Sequence, residues 1–328
     1  MQRGHEIKCL DHGYVRLVDY MGTDESIVEA ARMSTGRGFV SWEPYKRCKK
    51  CDGVAIPDGN RVHFEDEVAE AVSCGDSRAA HDWQDFPRGD LGILDYLYRM
   101  RHSTPFEMCE LIIDVQVPMD CWRQWIRHRT ASVNEYSTRY SEAIDLMAKT
   151  PTDRWRTQGL TNRQGSGEFL PCNKTHRPDP HVSHHRDSVG DIMSLQEAEF
   201  LETARQVYKD RLAAGVAKEQ ARKDLPLSTY TAARWKCDLK NVLHFLGLRM
   251  HPHAQVEIRT YAHAVAEIAK AIWPRTYGLF EEYDLHGVHL SRTEAKALAK
   301  AQVYSLLMNH GNLDEKTAKA LVEKLSGV

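Results

Sequence analysis

Two hydrophobic periods alternate along the chain, and the places where one gives way to the other mark the elements. Residues 14–20 (YVRLVDY) alternate apolar and polar side chains, the period of a half-buried strand. Asp24 precedes Ile27, Ala30 and Ala31 at helical spacing, so a helix capped by Asp24 is predicted over 25–33. Residues 90–101 (DLGILDYLYRMR) have the pattern of an amphipathic helix, which Pro105 should stop. Period two returns at 111–117 (LIIDVQV), with Ile113, Val115 and Val117 on one face, and Pro118 suits the start of a helix over 119–129. Further on, residues 193–214 form a long amphipathic pattern carrying Leu195, Phe200, Leu201, Val207 and Tyr208, and a short helix after Gly215 carries Arg222. A strand over 228–237 leads into a helix over 241–249. A core helix follows over 254–272, with Ile258, Tyr261, Val265, Ile268 and Ile272 on one stripe. Residues 291–328 add two charged amphipathic helices.

Two stretches break this pattern. Residues 35–90 are rich in Gly, Asp and Pro and hold at most a short helix around 65–72. Within them Cys48-Lys-Lys-Cys51 has the spacing of half a zinc site, with Cys74, His63 and His81 as candidate further ligands. No second Cys-x2-Cys or His-x3-His follows at a suitable distance, so free loop thiols are the preferred reading and no metal is assigned. Residues 150–190 read as a polar surface loop whose His176, His181, His184 and His185 need no ligand.

Composition narrows the class. At 328 residues, 42% hydrophobic and 27% charged, the chain has material for a large core. It has no apolar run long enough for a membrane span, and its first residues lack the apolar core of a secretory signal. Eight scattered cysteines then read as reduced thiols, and a cytoplasmic location is expected. A net charge of −2 argues against a duplex nucleic-acid binder.

Against that near-neutral background, charge concentrates in one place. Between Trp122 and Arg139 stand Arg123, Arg127, Arg129 and Arg139 against the single acid Glu135, four positive charges less one negative. Such a local excess attracts anions, and arginine suits phosphate because its planar donors bind it bidentately. Helical spacing would put Gln124 and Arg127 on one face, and an extended continuation would align Glu135, Ser137 and Arg139. The alternatives are a solvated basic helix end, or a non-catalytic nucleotide- or RNA-binding surface stacking bases on Trp122 and Trp125.

The wording of three segments favours a specific family. Arg127-His128-Arg129 followed after seven residues by Ser137, with Asn134-Glu135-x-Ser137-x-Arg139 inside, resembles the motif of flavin-dependent thymidylate synthases. His102-x-Thr104-Pro-Phe-Glu107 resembles that family's second motif, and Leu248-Arg249-x3-His253-Ala254-Gln255-x-Glu257-Ile258-Arg259 its third. Ala31-Arg32-x-Ser34 resembles an early element of the same family. No Gly-x-Gly-x-x-Gly is present, so a Rossmann-type flavin site is not expected.

The resemblance implies an α+β fold with a curved antiparallel or mixed sheet flanked by long helices. It also implies one domain over 1–290, interrupted by an insertion at about 36–89 and followed by a helical extension over 291–328. The implied reaction is methylation of dUMP to dTMP, with carbon from 5,10-methylenetetrahydrofolate and a hydride from NADPH passed through bound FAD. The implied assembly is a homotetramer with active sites between subunits. Gln124, Arg127, Glu135, Ser137, Thr138, Arg139, Arg222 and Arg249 are carried over as nucleotide contacts, with Arg249 activating the uracil ring. Ser34, His102, Thr104, Glu107, Arg127, His128, Arg129, Thr130, Glu135, Asp238, Lys240, His244 and His253 are carried over as flavin or folate contacts. The chain departs from the family at Asp238, Lys240 and His244: Lys240 would serve phosphate as a point charge, and Asp238 would need a donor. Ser137 has no base beside it in sequence and is read as binding rather than nucleophilic. Pro171-Cys172 offers only a superficial likeness to the cysteine enzymes of conventional thymidylate synthesis.

Overall fold

A computed structural model describes residues 1–49, 54–55, 83–160, 165–170 and 189–300, together with 319 and 321. It divides into two compact units, Met1–Phe280 and Glu281–Val328. The first unit begins with β1 (Glu6–Cys9) and β2 (Gly13–Met21), then α1 (Asp24–Ala31). The insertion contributes β3 (Tyr45–Cys48), β4 (Val54–Ala55) and β5 (Trp83–Phe86). Next come α2 (Leu91–Arg99), α3 (Thr104–Glu107), β6 (Glu110–Pro118), α4 (Met119–Trp125) and β7 (Ser132–Glu135). After β8 (Arg156–Gln158) and β9 (Ser166–Phe169), the long α5 (Val189–Ala213) leads through α6 (Lys218–Ala221) to β10 (Tyr230–Asp238). The unit closes with α7 (Leu239–Arg249), α8 (Val256–Ile272) and α9 (Pro274–Phe280). In the second unit, Glu281–Leu285 is a short π-helical turn and α10 is Arg292–Lys300.

The architecture is α+β. The central sheet runs β1-β2-β6-β10-β7 and every adjacent pair is antiparallel. Its strands keep the period-two pattern of the sequence. Leu111, Ile113, Val115 and Val117 of β6 are buried, as are Val15 and Leu17 of β2 and Ala233, Trp235 and Cys237 of β10. A register shift between Leu17 and Asp19 bends β2 where it pairs β6. On the polar face, Asp114 lies across from both Arg16 and Arg234. It accepts from Arg234 Nε at 2.8 Å and Arg16 Nη2 at 3.2 Å, so that face is laced by charge while the other is apolar.

The apolar face is covered by α4, α7 and α8. Trp125 sits at the centre, its ring 4.7 Å from Phe245, 5.7 Å from Trp235 and 6.2 Å from Tyr261. Each aromatic group fully withdrawn from water contributes on the order of 1.5–3 kcal/mol. This knot fixes the ends of α4 and α7, from which the candidate site projects. Of the α8 stripe, Ile258, Tyr261, Val265 and Ile268 are fully buried and Ile272 partly.

Several local expectations change. Thr23, not Asp24, precedes α1, and its backbone N–H donates to Ser26 Oγ at 3.1 Å. Asp24 is buried and instead accepts from Arg275 N, Thr276 N and Thr276 Oγ1 at 2.9, 3.0 and 2.6 Å, capping α9 from far away in sequence. α4 ends at Trp125 rather than running to 129, because His128 N turns back to Trp125 O at 3.0 Å. The helical face shared by Gln124 and Arg127 is therefore lost. β7 stops at Glu135, and Ser137 opens a turn by accepting from Tyr140 N and Ser141 N at 3.2 and 3.0 Å. Glu135, Ser137 and Arg139 thus do not alternate along one strand.

The insertion is not a plain loop, since β4-β3-β5 form a small sheet. It is anchored by a buried cluster: Asp90 accepts from Arg32 Nη2 at 2.6 Å, Arg32 Nη1 at 2.9 Å and Tyr45 Oη at 2.7 Å. In the stretch read as a polar loop, β8 and β9 form a two-stranded ribbon. The 65–72 helix, Cys51, His63, Cys74, His81, Cys172 and the four histidines of 176–185 lie outside the described residues. So does most of the second charged helix beyond residue 300. Among the described residues no cluster with metal-binding composition occurs, and no helix is long and apolar enough to cross a membrane.

Candidate active site

The end of α4 and the end of α7 meet at Arg249. Its Nε donates to His128 Nε2 at 3.1 Å and its Nη2 to the backbone oxygen of Gln124 at 3.2 Å. Accepting from a guanidinium requires a bare ring nitrogen, so His128 is neutral here. Burial first, then the charge of Arg249 and the neighbouring His244, push its pKa down to about 4. The His128 ring lies 5.8 Å from that of His244 and 5.0 Å from Phe245, both edge-on. Burial, together with nearby Arg127, lowers the pKa of Arg249, so this half-buried guanidinium sits in a field that favours an incoming negative charge. Lys240 stands four residues before His244 and shares its helix face. Arg127 and Arg129 are exposed, with no ion-pair partner among the described residues. Thr130 offers its carbonyl to Cys237 Sγ at 3.3 Å.

A second group surrounds the turn after β7. Glu135 accepts from Thr231 Oγ1 at 2.9 Å across the β7–β10 pair. Ser137 Oγ accepts from Arg139 N at 3.4 Å, and Arg222 Nη1 reaches Thr138 Oγ1 at 2.5 Å. Arg139 lies 3.9 Å from Glu219 and stacks on Tyr140. The turn therefore gathers Ser137, Thr138, Arg139 and Arg222, hydroxyl donors and two cations of the kind that hold a phosphate.

A third group lies beside α1 and α3. Ser34 occupies a 3-10 turn over Met33–Thr35 and is exposed. His102 follows Arg101, whose φ of 58° closes α2 in the left-handed conformation, with His102 N donating to Leu97 O at 2.9 Å. Thr104 and Glu107 bound the one-turn α3, which packs on α1 and α7. A bond from Leu239 N to Cys109 O at 2.8 Å ties this region to the start of α7. There Asp238 accepts from Asn241 N at 2.9 Å and Asn241 Nδ2 at 2.8 Å, capping α7. Its carboxylate thus has donors within the chain. His253 sits in the loop before α8, its ring edge-on to that of His251 with centroids 4.5 Å apart.

Within this one chain, no side-chain hydrogen bond or ion pair among the described residues joins the three groups. Residues without an assigned role in the sequence also belong to the first group. Gln124 Nε2 donates to Gln255 Oε1, and Gln255 Nε2 donates to Asp120 Oδ2 at 2.9 Å. The signal for Gln255 was present in the third motif, but Asp120 had none.

Residues 16–275 match the family described as thymidylate synthase complementing protein. The flavin-dependent thymidylate synthase of Gluconobacter oxydans is 38% identical over 294 residues, 89% of this chain and 78% of that protein. The enzyme of the same name from Wolbachia pipientis wMel is 36% identical over 296 residues, 90% and 83% of the two chains. Among solved structures, the UMP/dUMP methylase PolB from Streptomyces cacaoi bound with 5-Br dUMP is similar at a TM-score of 0.57 and 26% identity. That match covers 85% of this chain and 99% of PolB.

Proposed function

The chain belongs to the thymidylate synthase complementing protein family, and on that premise we propose that it methylates dUMP to dTMP as a flavin-dependent thymidylate synthase. The observation that carries this reading is the Arg249 guanidinium, half-buried beside a neutral histidine and the Gln124 backbone. Carbon–carbon bond formation at uracil C5 needs electron density there, which grows as negative charge spreads onto the ring carbonyls. A fixed cation at the carbonyl edge stabilises that charge without reorganising. Because His128 is neutral, Arg249 need not share the site with a second imidazolium charge.

The phosphate is assigned to the turn of Ser137, Thr138, Arg139 and Arg222, and the sugar and base to Glu135 and Gln124. Ser137 serves by hydrogen bonding, since no general base lies against it among its described contacts. The residues present fit a flavin dinucleotide: Arg127, Arg129 and Lys240 are exposed cations for a pyrophosphate, next to the aromatic edges of His128 and His244. When bound, FAD supplies hydride chemistry, with NADPH as reductant and 5,10-methylenetetrahydrofolate as carbon donor. Ser34, His102, Thr104, Glu107, Thr130, Asp238 and His253 are assigned to the flavin and folate side.

We assign a homotetramer for two reasons. Among the described residues no side-chain hydrogen bond or ion pair joins the three groups, and a site built between copies would unite them. In addition, α5 exposes Val189, Ile192, Met193, Phe200 and Val207 at three- and four-residue spacings or their sum, an apolar stripe on a helix about 38 Å long. Buried thiols at Cys9, Cys109, Cys121 and Cys237 suit a reducing compartment, in keeping with a cytoplasmic enzyme.

The direct test is dTMP formation from dUMP by the FAD-loaded protein with NADPH and methylenetetrahydrofolate, for the wild type and Arg249→Ala. The wild type should make dTMP. The variant should stay folded and flavin-bound while losing at least about a hundredfold in rate, the scale of removing one transition-state donor. A fully active variant would remove Arg249 from the mechanism.

A further inference from the structure

Gln124 is held at both ends. Its backbone oxygen accepts from Arg249 Nη2 at 3.2 Å, while its side-chain Nε2 donates to Gln255 Oε1. A carboxamide has one accepting and one donating end, and its partners determine which way round it sits. Here the partners leave no choice. Gln255 Nε2 donates to Asp120 Oδ2 at 2.9 Å. With the amino end of Gln255 turned to the Asp120 carboxylate, its oxygen is the end left for Gln124. Gln124 must then turn its amino group toward Gln255, and its oxygen and second N–H face away.

We propose that Asp120 and Gln255 are positioning residues that lock Gln124 in the orientation that reads uracil and rejects cytosine. This rests on the assignment of Gln124 to the base. Uracil presents an N3–H donor flanked by carbonyl acceptors, which complements an oxygen beside an N–H. Cytosine presents a bare N3 beside a 4-amino donor, the reverse order. A freely turning glutamine would rotate and accept either base. Gln124 cannot rotate without setting its oxygen against the oxygen of Gln255, leaving two half-buried acceptors unpaired.

The test is calorimetric titration of the FAD-loaded protein with dUMP and with dCMP, for the wild type, Gln255→Met and Asp120→Asn. The wild type should favour dUMP by about a hundredfold or more, as expected when a site built on hydrogen bonds meets the wrong partner. Gln255→Met frees Gln124 to turn and should shrink that ratio about tenfold. Asp120→Asn, which keeps its size but donates as well as accepts, should shrink it less, and it carries the test should Gln255→Met fail to fold. A loosened structure would weaken both nucleotides together and leave the ratio unmoved. An unmoved ratio in the folded variants therefore overturns the relay. A wild type that binds no dUMP overturns the assignment of the site itself, and the relay with it.

Discussion

Arg249 Nε meets His128 Nε2 at 3.1 Å, a contact that exists only while the imidazole is unprotonated. Because the folded pKa of His128, about 4, lies below its ordinary value of 6.5, the unfolded chain takes up this proton first as pH falls. Stability contributed by the neutral histidine is therefore intact above about pH 6.5 and is lost progressively as pH falls toward about 4. His128→Gln should flatten that part of the profile, so thermal midpoints of wild type and variant should converge on acidification. Parallel profiles would contradict the argument. Arg101 is a second residue-scale case. Its φ of 58° is costly for any side chain with a Cβ, and Arg101→Gly should raise stability by roughly 0.5–1 kcal/mol in urea unfolding.

At the scale of elements, legibility in the sequence followed the range of the forces involved. β2, β6, β10 and α8 were readable because one face of each is buried and the period survives in Leu111, Ile113, Val115 and Val117 or in Ile258, Tyr261, Val265 and Ile268. The end of α4 was not, because Trp125 is held by Phe245, Trp235 and Tyr261 from other elements, and the chain turns back there. Asp24 has the local signature of a cap and does cap a helix, but one that begins 250 residues later, at Pro274. The motifs carried the identities of Arg249 and His128; that the two touch was not in them. The link from Gln124 to Gln255 spans 131 positions, and no periodicity could expose it. The insertion hides its anchor for the same reason. Tyr45 reads as a loop residue and Arg32 and Asp90 as residues at predicted helix ends, yet Asp90 is fully buried with the other two bonded to it. Asp90→Ala would strand the Arg32 charge and should cost about 3–5 kcal/mol, measured by denaturant unfolding. A loss below about 1 kcal/mol would mean the cluster relaxes into water.

For the whole molecule, the three groups of candidate residues and the exposed apolar stripe of α5 support the proposal that activity depends on assembly. Phe200→Asp places a charge in the middle of that stripe and should yield smaller species in sedimentation, with dTMP synthesis falling in step. A dissociated protein that kept full activity would show that one chain completes the site by itself. The central claim, that reducing power held on a bound flavin is delivered to dUMP, is tested most directly by a single turnover without oxygen. The FAD-loaded protein is reduced with NADPH, freed of excess reductant, and mixed with dUMP and methylenetetrahydrofolate while its visible absorbance is followed. Return of the oxidised flavin spectrum together with stoichiometric dTMP is the predicted result. Flavin that stays reduced, or reoxidises without dTMP, would contradict it.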